Sequence, residues 1–474
     1  MNISISTNNG RAVITVSEDA AHDDYAKIAP AVEQAGQLSE ICLDLKGMFY
    51  ITSAQIAELV AVAKLGNSKK TPVVLLNVNP GVYESLELAN LLGQFAFRQD
   101  YSCYTLAELI DMFNNPENAS DVSDYFVSHY TGDVKKALTA NIQSLDFDNP
   151  IVQEYSLITI GRAYDDAAID NIRNCLNSQY PNVVHSTILV LGWLGDMSSK
   201  EKIYSFLTSN TIELADAAGA SIALLSDDDD TAKLAKLAES GSNTLRMIIA
   251  GILALINGNE AFAVLSAMFA KEKDDEVRKM LTRYLSYFNK PEATDTLIKL
   301  LDDSSKAVQE AAAAGLERTG LRGHEDVVLK KVAVGGMISY FAVKALGKTC
   351  SDASATALIG LYDKIEPITK LAVLEALGHC SGDTVKDFLL KRLSDQNEDI
   401  RKEALSSLGK QFKGVAAAEA EKMIRGDASW QVRYQALEIL EEIRPANFAA
   451  ILKDIKQKDD NRYIQEKVSE LLGM

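Results

Sequence analysis

Long apolar runs are absent from this chain. The most apolar stretch, MIIAGILALI at 247–256, has ten residues, about half of the roughly 20 that a membrane-spanning helix needs. The segment MNISISTNNG at the start has neither the basic beginning nor the apolar core of a signal peptide. We therefore expect a cytoplasmic protein with no membrane partner.

Cysteine is scarce and dispersed. No two cysteines form a CxxC pair, and none has the spacing of a metal ligand set. In a cytosolic protein such thiols are expected to be reduced and buried. The five are Cys42, Cys103, Cys175, Cys350 and Cys380.

An excess of basic residues is also missing. The chain has 48 Lys and Arg against 66 Asp and Glu, for a net charge of −18. The segment 1–115 holds 7 basic and 13 acidic residues, which leaves 41 and 53 for the rest. Because both parts are acidic, they repel phosphate backbones and anionic lipids. We therefore do not expect nucleic acid to be a partner.

Catalytic motifs are lacking as well. The sequence has no G-x-S-x-G, no P-loop and no dinucleotide fingerprint. The acidic run SDDDD at 226–230 lacks the ligand spacing of a calcium loop and is predicted to be a solvated turn. We expect no metal, no cofactor and no enzymatic activity.

The first 113 residues alternate strand and helix patterns. NISIS and RAVITV alternate with period two, while EICLDL and PVVLLNV are short apolar runs typical of central strands. Helical patterns lie between them, one of them spanning 22–35. The order β-β-α-β-α-β-α-β-α, with a fifth strand near FAFRQ and a last helix at TLAELIDMF, predicts an α+β head with a mixed sheet.

From residue 116 the period changes to a repeat of 30 to 32 residues. Its pattern, V-R-x-x-A-x-x-x-L-G, is plainest in IRKEALSSLG at 400–409 and places apolar residues on one helical stripe. A second amphipathic helix lies between successive copies, which predicts an all-α solenoid of about eleven two-helix repeats. The first residue of each copy, here called the anchor, is Val152, Val183, Leu214, Leu245, Val277, Val308, Ile338, Thr369, Ile400, Val432 or Ile464.

The two patterns define the predicted domains. The head occupies residues 1–113, and the polar segment NNPENASDVSD at 114–124 is predicted to be a linker. The solenoid occupies 125–474, with a helical cap at 125–147 and the repeats at 148–474.

The repeats resemble HEAT repeats, in particular those of the phycobilisome-lyase type. The resemblance implies that the anchor helix is the second of each pair and lines the concave side. It also implies that an arginine one residue after the anchor pairs with acids in the turns. Arg246, Arg278, Arg401 and Arg433 hold this position, whereas other residues interrupt it elsewhere, so we expect a broken ladder.

The head resembles the STAS domain of anti-sigma-factor antagonists and sulfate transporters. LDLKGMFYITSAQIAEL at 43–59, VVLLNVNPGVYESLELANLLGQF at 73–95 and the element order carry the resemblance. It places Thr52 at the family's phosphoacceptor position, with Ser53 beside it. Ile51 and Ala54 stand where the best-known antagonists have an acidic residue and glycine.

Thr52 has two compatible interpretations. T-S-A-Q at 52–55 is a capping box, in which the threonine oxygen accepts the amide three residues on and Gln55 reaches back. A phosphate at the same place would lie on the positive end of a helix. The hydroxyl is therefore predicted to start a helix and is a candidate switch.

A set of residues two or three positions after the anchors is predicted to point away from the packed stripe. Tyrosine and methionine there suit adaptable partner contacts, although the same side chains could pack against adjacent repeats. The candidates are Tyr155, His185, Met247, Met280, Tyr340, Leu371 and Tyr434.

The leading hypothesis is a non-enzymatic bacterial signalling adaptor. Its STAS head and HEAT solenoid would bind other proteins, including a kinase or an anti-sigma-like regulator, and the state of Thr52 would select the partner. The alternatives are an enzyme of the phycobilin-lyase kind and a passive structural scaffold. The sequence leaves the oligomeric state open.

Overall fold

The structure, a computed structural model, describes residues 3–8, 11–36, 38–145, 147–239 and 241–473, without the Asn8 side chain. The first residue of the predicted NISIS strand, Asp146 of the predicted cap and Met474 at the end of the predicted repeats lie outside this description. The predicted fold class is confirmed: a mixed five-stranded sheet with helices is followed by the helices of a HEAT-like solenoid.

The sheet has the strand order β1-β2-β3-β4-β5, in which only β1 and β2 are antiparallel. Its register pairs Leu43 with Ile14 on one side and with Leu75 on the other. The strands are β1 (Ile3–Asn8), β2 (Arg11–Ser17), β3 (Glu40–Gly47), β4 (Val73–Leu76) and β5 (Ala96–Arg98). The helices around the sheet are α1 (His22–Tyr25), α2 (Ile28–Gln34), α3 (Ser53–Lys69), α4 (Pro80–Leu88) and α5 (Leu106–Asp111).

Burial explains the strand patterns. The pattern in β2 alternates, and its buried Ile14 and Val16 join Leu43 and Leu75 in the main core of the head. Strands β3 and β4 are buried on both faces, as their continuous apolar runs predict. The helix expected at 22–35 is two short helices, because Ala26 and Lys27 separate α1 from α2.

The chain forms two compact units that divide between Val190 and Leu191. The first unit holds the sheet together with the following helices up to that division. These helices are α6 (Pro116–Ser128), α7 (Gly132–Asn141), α8 (Pro150–Arg162), α9 (Ile169–Asn174) and α10 (Pro181–Trp193), which contains the division.

The predicted linker at 114–124 is wrong, because most of it is helix α6. Asn115 caps this helix by accepting the amide of Glu117 at 3.1 Å, and Pro116 follows the cap. Apolar residues on one face of α6 are buried, and the Phe113 ring lies 5.9 Å from that of Phe126. Most polar residues of the segment form the start and the solvent-exposed face of a packed helix.

The second unit consists of helix pairs. They are α11 (Lys200–Phe206), α12 (Ile212–Leu225), α13 (Thr231–Glu239), α14 (Asn243–Ile256), α15 (Asn259–Lys271), α16 (Asp275–Leu285), α17 (Pro291–Leu300), α18 (Lys306–Thr319), α19 (Glu325–Val332), α20 (Gly336–Thr349), α21 (Asp352–Leu361), α22 (Pro367–Leu377), α23 (Asp383–Arg392), α24 (Glu398–Gln411), α25 (Lys413–Gly426), α26 (Trp430–Ile443), α27 (Phe448–Lys458) and α28 (Arg462–Leu471). The predicted stripe is present, since every anchor of the chain except the half-buried Leu214 is buried.

The expectation of five reduced thiols is wrong for one pair. Cys350 and Cys380 form a disulfide with their Cα atoms 5.5 Å apart, whereas Cys42, Cys103 and Cys175 are free. The two paired residues follow the ends of α20 and α22 and are 30 residues apart, about one repeat. Stacking of successive repeats therefore brings together cysteines that look unrelated in the sequence.

Candidate functional site

Thr52 is the N-cap of α3, and the predicted capping box is present. Its Oγ1 accepts the Gln55 amide at 3.3 Å, while the Thr52 amide donates to Gln55 Oε1 at 3.0 Å. The buried Gln55 amide group donates in turn to the carbonyls of Glu18 and Ala20. The cap is thus anchored to the loop after β2, which fixes the position of the Thr52 hydroxyl.

The surroundings of Thr52 are open and aromatic. Thr52 and Ser53 are exposed, and the two residues before Ile51, Phe49 and Tyr50, are 61% and 76% exposed. The amides of Ser53 and Ala54 have no acceptor among the described residues, as expected in the first turn of a helix. The site therefore joins free helix-start amides to an exposed aromatic pair.

The seven candidates after the anchors are all half-buried. Tyr155 stacks on Phe113, with ring centroids 5.6 Å apart, and Tyr340 meets Phe341 edge to face at 5.4 Å. The contact with Phe113 favours packing for Tyr155. Phe341 directly follows Tyr340 in the same helix, so Tyr340 and the other five candidates keep both interpretations.

The sequence reasoning missed a different set of apolar residues. They lie one or two positions before an anchor, in the first turn of the second helix of a repeat, and their side chains are exposed. An alignment of the repeats would have identified them as apolar residues that fall outside the buried stripe. They are Ile151, Ile212, Met337, Ile368, Trp430 and Tyr463.

The broken arginine ladder that the resemblance to HEAT repeats implied is present. Each arginine forms an ion pair with an acid that lies 25 or 26 residues further on. The pairs are Arg246–Glu272 (2.6 Å), Arg278–Asp303 (2.5 Å), Arg401–Asp427 (2.7 Å) and Arg433–Asp459 (2.6 Å). At Gln309 and Gln465, where glutamine replaces arginine, the side-chain amide donates to the carbonyl of the residue six positions earlier, which is Asp303 or Asp459 respectively.

The acidic run at 226–230 has structural partners. Asp228 accepts the amides of Asn259 and Ala261 at the start of α15, and Asp230 pairs with Lys200 at 2.5 Å. No group of three or more His, Cys, Asp or Glu in the described parts of the chain is placed to hold a metal ion. None of the described helices combines the length and the apolar character that a bilayer crossing would require.

Comparisons with known proteins bear on the repeats. A family model described as HEAT repeats matches residues 270–330 and 387–473, so the chain contains HEAT repeats there. No curated protein matches the chain.

Several solved structures are similar to the chain. Kap121p bound to Pho4p is 12% identical with a TM-score of 0.48, over 90% of this chain and 52% of Kap121p. The complex of CpcE and CpcF of phycocyanin lyase from Nostoc sp. is 18% identical with a TM-score of 0.29, over 48% of this chain and 94% of that one. The chain spans about half the length of the Kap121p chains that it matches.

Proposed function

We propose that this chain is a non-enzymatic bacterial signalling adaptor, whose STAS-like head and HEAT solenoid bind partner proteins. The observation that carries the proposal is the placement of Thr52. The exposed Thr52 begins helix α3 two residues after the exposed Tyr50 and three after the exposed Phe49, so its chemical state can alter a surface that has the character of a protein contact.

Phosphorylation of Thr52 by a kinase would change this surface in two ways. It would add a charge of about −1.5 to −2 at neutral pH, which the amides of Ser53 and Ala54 and the positive end of α3 can accommodate. It would also place this charge close to Phe49 and Tyr50 in the sequence. A partner that buries these rings would have to desolvate the phosphate, so it would be released.

Capture of partners from a native lysate tests the proposal. Wild type, Thr52→Ala and Thr52→Glu are used as baits, with Thr105→Glu as the matched control. Thr105 is also an exposed capping-box threonine of the head, at the start of α5. We expect Thr52→Glu to lose proteins that wild type, Thr52→Ala and Thr105→Glu retain. Equal capture by all four baits would rule out switching at Thr52.

A further inference from the structure

A groove crosses α24, α26 and α28, which are the second helices of the last three helix pairs. Its volume is about 550 Å³, and its nine lining residues are three aromatic, four charged and two glutamine side chains. Trp430 and Tyr463 stack with ring centroids 5.1 Å apart and planes inclined by 24°. Trp430 is 36% exposed and Tyr463 58% exposed, and Tyr434 lines the same groove. Large rings thus stay open to a ligand.

The charged residues of the groove are neutralised within the chain. Two lysines and two glutamates line it, so its own charge sums to zero. Each of the four also has an oppositely charged partner on the protein. The pairs are Lys402 with Asp399 (2.8 Å), Lys467 with Glu441 (3.1 Å) and with Glu470 (3.8 Å), and Glu466 with Arg462 (2.7 Å). The groove therefore complements an uncharged ligand better than an acidic or basic one.

Several uncharged polar groups of the groove can donate hydrogen bonds. The indole N–H of Trp430, the hydroxyls of Tyr434 and Tyr463 and the amide of Gln435 have no acceptor among the described residues. The Oε1 of Gln431 accepts from Ser429 Oγ at 2.8 Å, which leaves the amide N–H groups of Gln431 to donate outward. A ligand with free acceptors can therefore bind the indole, hydroxyl and amide donors of this wall.

We propose that this groove binds an uncharged proline-rich segment of a partner protein in the polyproline II conformation. Such a segment has no internal hydrogen bonds, so its carbonyls are free to accept, while proline has no amide N–H. Pyrrolidine rings pack on aromatic faces, which is how aromatic-lined grooves recognise these segments. Neighbouring helices lie about 10 Å apart, so about seven residues at 3.1 Å each span the three helices.

The emission of Trp430 reports occupancy of the groove. The chain has two tryptophans, so Trp193→Phe in the full-length protein leaves Trp430 as the single tryptophan, which is excited selectively at the red edge of the absorption band. The probe is a capped oligoproline of about ten residues, longer than the span of the groove. Capped glycine-serine and lysine-rich peptides of the same length are the comparison ligands. Circular dichroism checks that every variant is folded.

We expect a saturable change in emission with oligoproline and none with the glycine-serine peptide. Tyr463→Ala is expected to weaken binding about tenfold or more, as loss of an aromatic contact residue does. Gln435→Ala, which leaves the ring stack intact, is expected to weaken it less. Tyr164→Ala removes another exposed tyrosine, outside the groove, and is expected to change nothing.

Three results would overturn the proposal. The first is no saturable response to oligoproline. The second is tighter binding of the lysine-rich peptide, which would indicate a basic partner. The third is an emission change that depends on protein concentration without peptide, which would indicate that a second copy covers the groove.

Discussion

Arg433 and Asp459 form an ion pair that joins two successive repeats, with Arg433 Nε 2.6 Å from Asp459 Oδ2. Nη1 of the same arginine donates to the carbonyl of Asp427 at 3.0 Å. Asp427 in turn binds Arg401 of the preceding repeat. Arg246, Arg401 and Arg433 therefore each tie the turn before their own helix to the corresponding turn of the next repeat.

Replacing Arg433 by glutamine removes the ion pair with Asp459 but keeps a donor for the carbonyl of Asp427. Gln465 and Gln309 show that a glutamine at this position still donates to the carbonyl six residues earlier. The change leaves Asp459, whose side chain is 5% exposed, without its cation. We expect the free energy of unfolding of the last repeats to fall by about 3 kcal/mol, measured by hydrogen exchange in α26 to α28. Arg433→Gln combined with Asp459→Asn should recover part of the loss, and an undiminished loss would contradict the ion-pair account.

The ladder also predicts loss of stability in acid. Burial raises the pKa of Asp459 and of Glu272, but hydrogen bonds from Arg433 and Arg246 respectively, together with backbone amides, leave both pKa values below their ordinary range. A lowered folded-state pKa stabilises the protein above the unfolded value of about 4, and this contribution is lost as the pH falls through the folded-state pKa. We expect the urea concentration at the unfolding midpoint to decrease as the pH is lowered below about 4. A pH dependence unchanged in Asp459→Asn would exclude a role for Asp459.

The glycine of the repeat pattern marks a close approach between second helices. A Cβ on Gly347 would lie 2.6 Å from Ala376 Cβ and 2.8 Å from its Cα. Gly347→Ala should therefore destabilise the protein by about 1–3 kcal/mol. Gly360 in α21 has no atom within 4 Å of such a Cβ, so Gly360→Ala should stabilise it by about 0.5–1 kcal/mol. The urea midpoints of the two variants test this. A shift of both midpoints in the same direction would contradict the close approach of Gly347 to Ala376.

The disulfide predicts a thiol count and a reductant effect. Alkylation in denaturant without reductant should label three cysteines, because Cys350 and Cys380 are paired. Reduction should lower the stability of the segment between them by about 2–4 kcal/mol, seen as faster hydrogen exchange in α20 and α22. Cys350→Ser/Cys380→Ser serves as the control that reductant leaves unchanged. Five labels before reduction would mean that the pair is open.

The sequence predicted those features that depend on local order. The 31-residue period located the anchors, because neighbouring repeats meet at fixed offsets, and the resemblance to HEAT repeats implied the arginine ladder. The period-two strands and the Thr52 capping box could also be predicted, since both patterns depend on residues only two or three positions apart in the sequence. Helix α6 was missed because its Asn115–Pro116 start was interpreted as a linker.

Long-range contacts of the head had no such signal. Across the strands β2 and β3, Arg11 pairs with Glu40 at 2.5 Å, and it also pairs with Asp100 at 3.0 Å; these residues are 29 and 89 positions away. Tyr101 reaches Tyr125 with ring centroids 5.7 Å apart, which links the head to α6. Such pairs follow from the way the strands and helices assemble and not from any spacing in the chain, so the sequence could not place them.

We propose that charge at Thr52 controls partner binding by the head. A calorimetric titration of a partner captured by wild type into purified wild type, Thr52→Ala, Thr52→Glu and Thr105→Glu tests this control, with thermal melts of each protein. The cap is worth about 1 kcal/mol, so all four should remain folded. We predict that Thr52→Glu alone weakens the affinity by about tenfold or more, that is by at least about 1.4 kcal/mol. Equal affinities for all four proteins would contradict the account and reduce Thr52 to a helix cap.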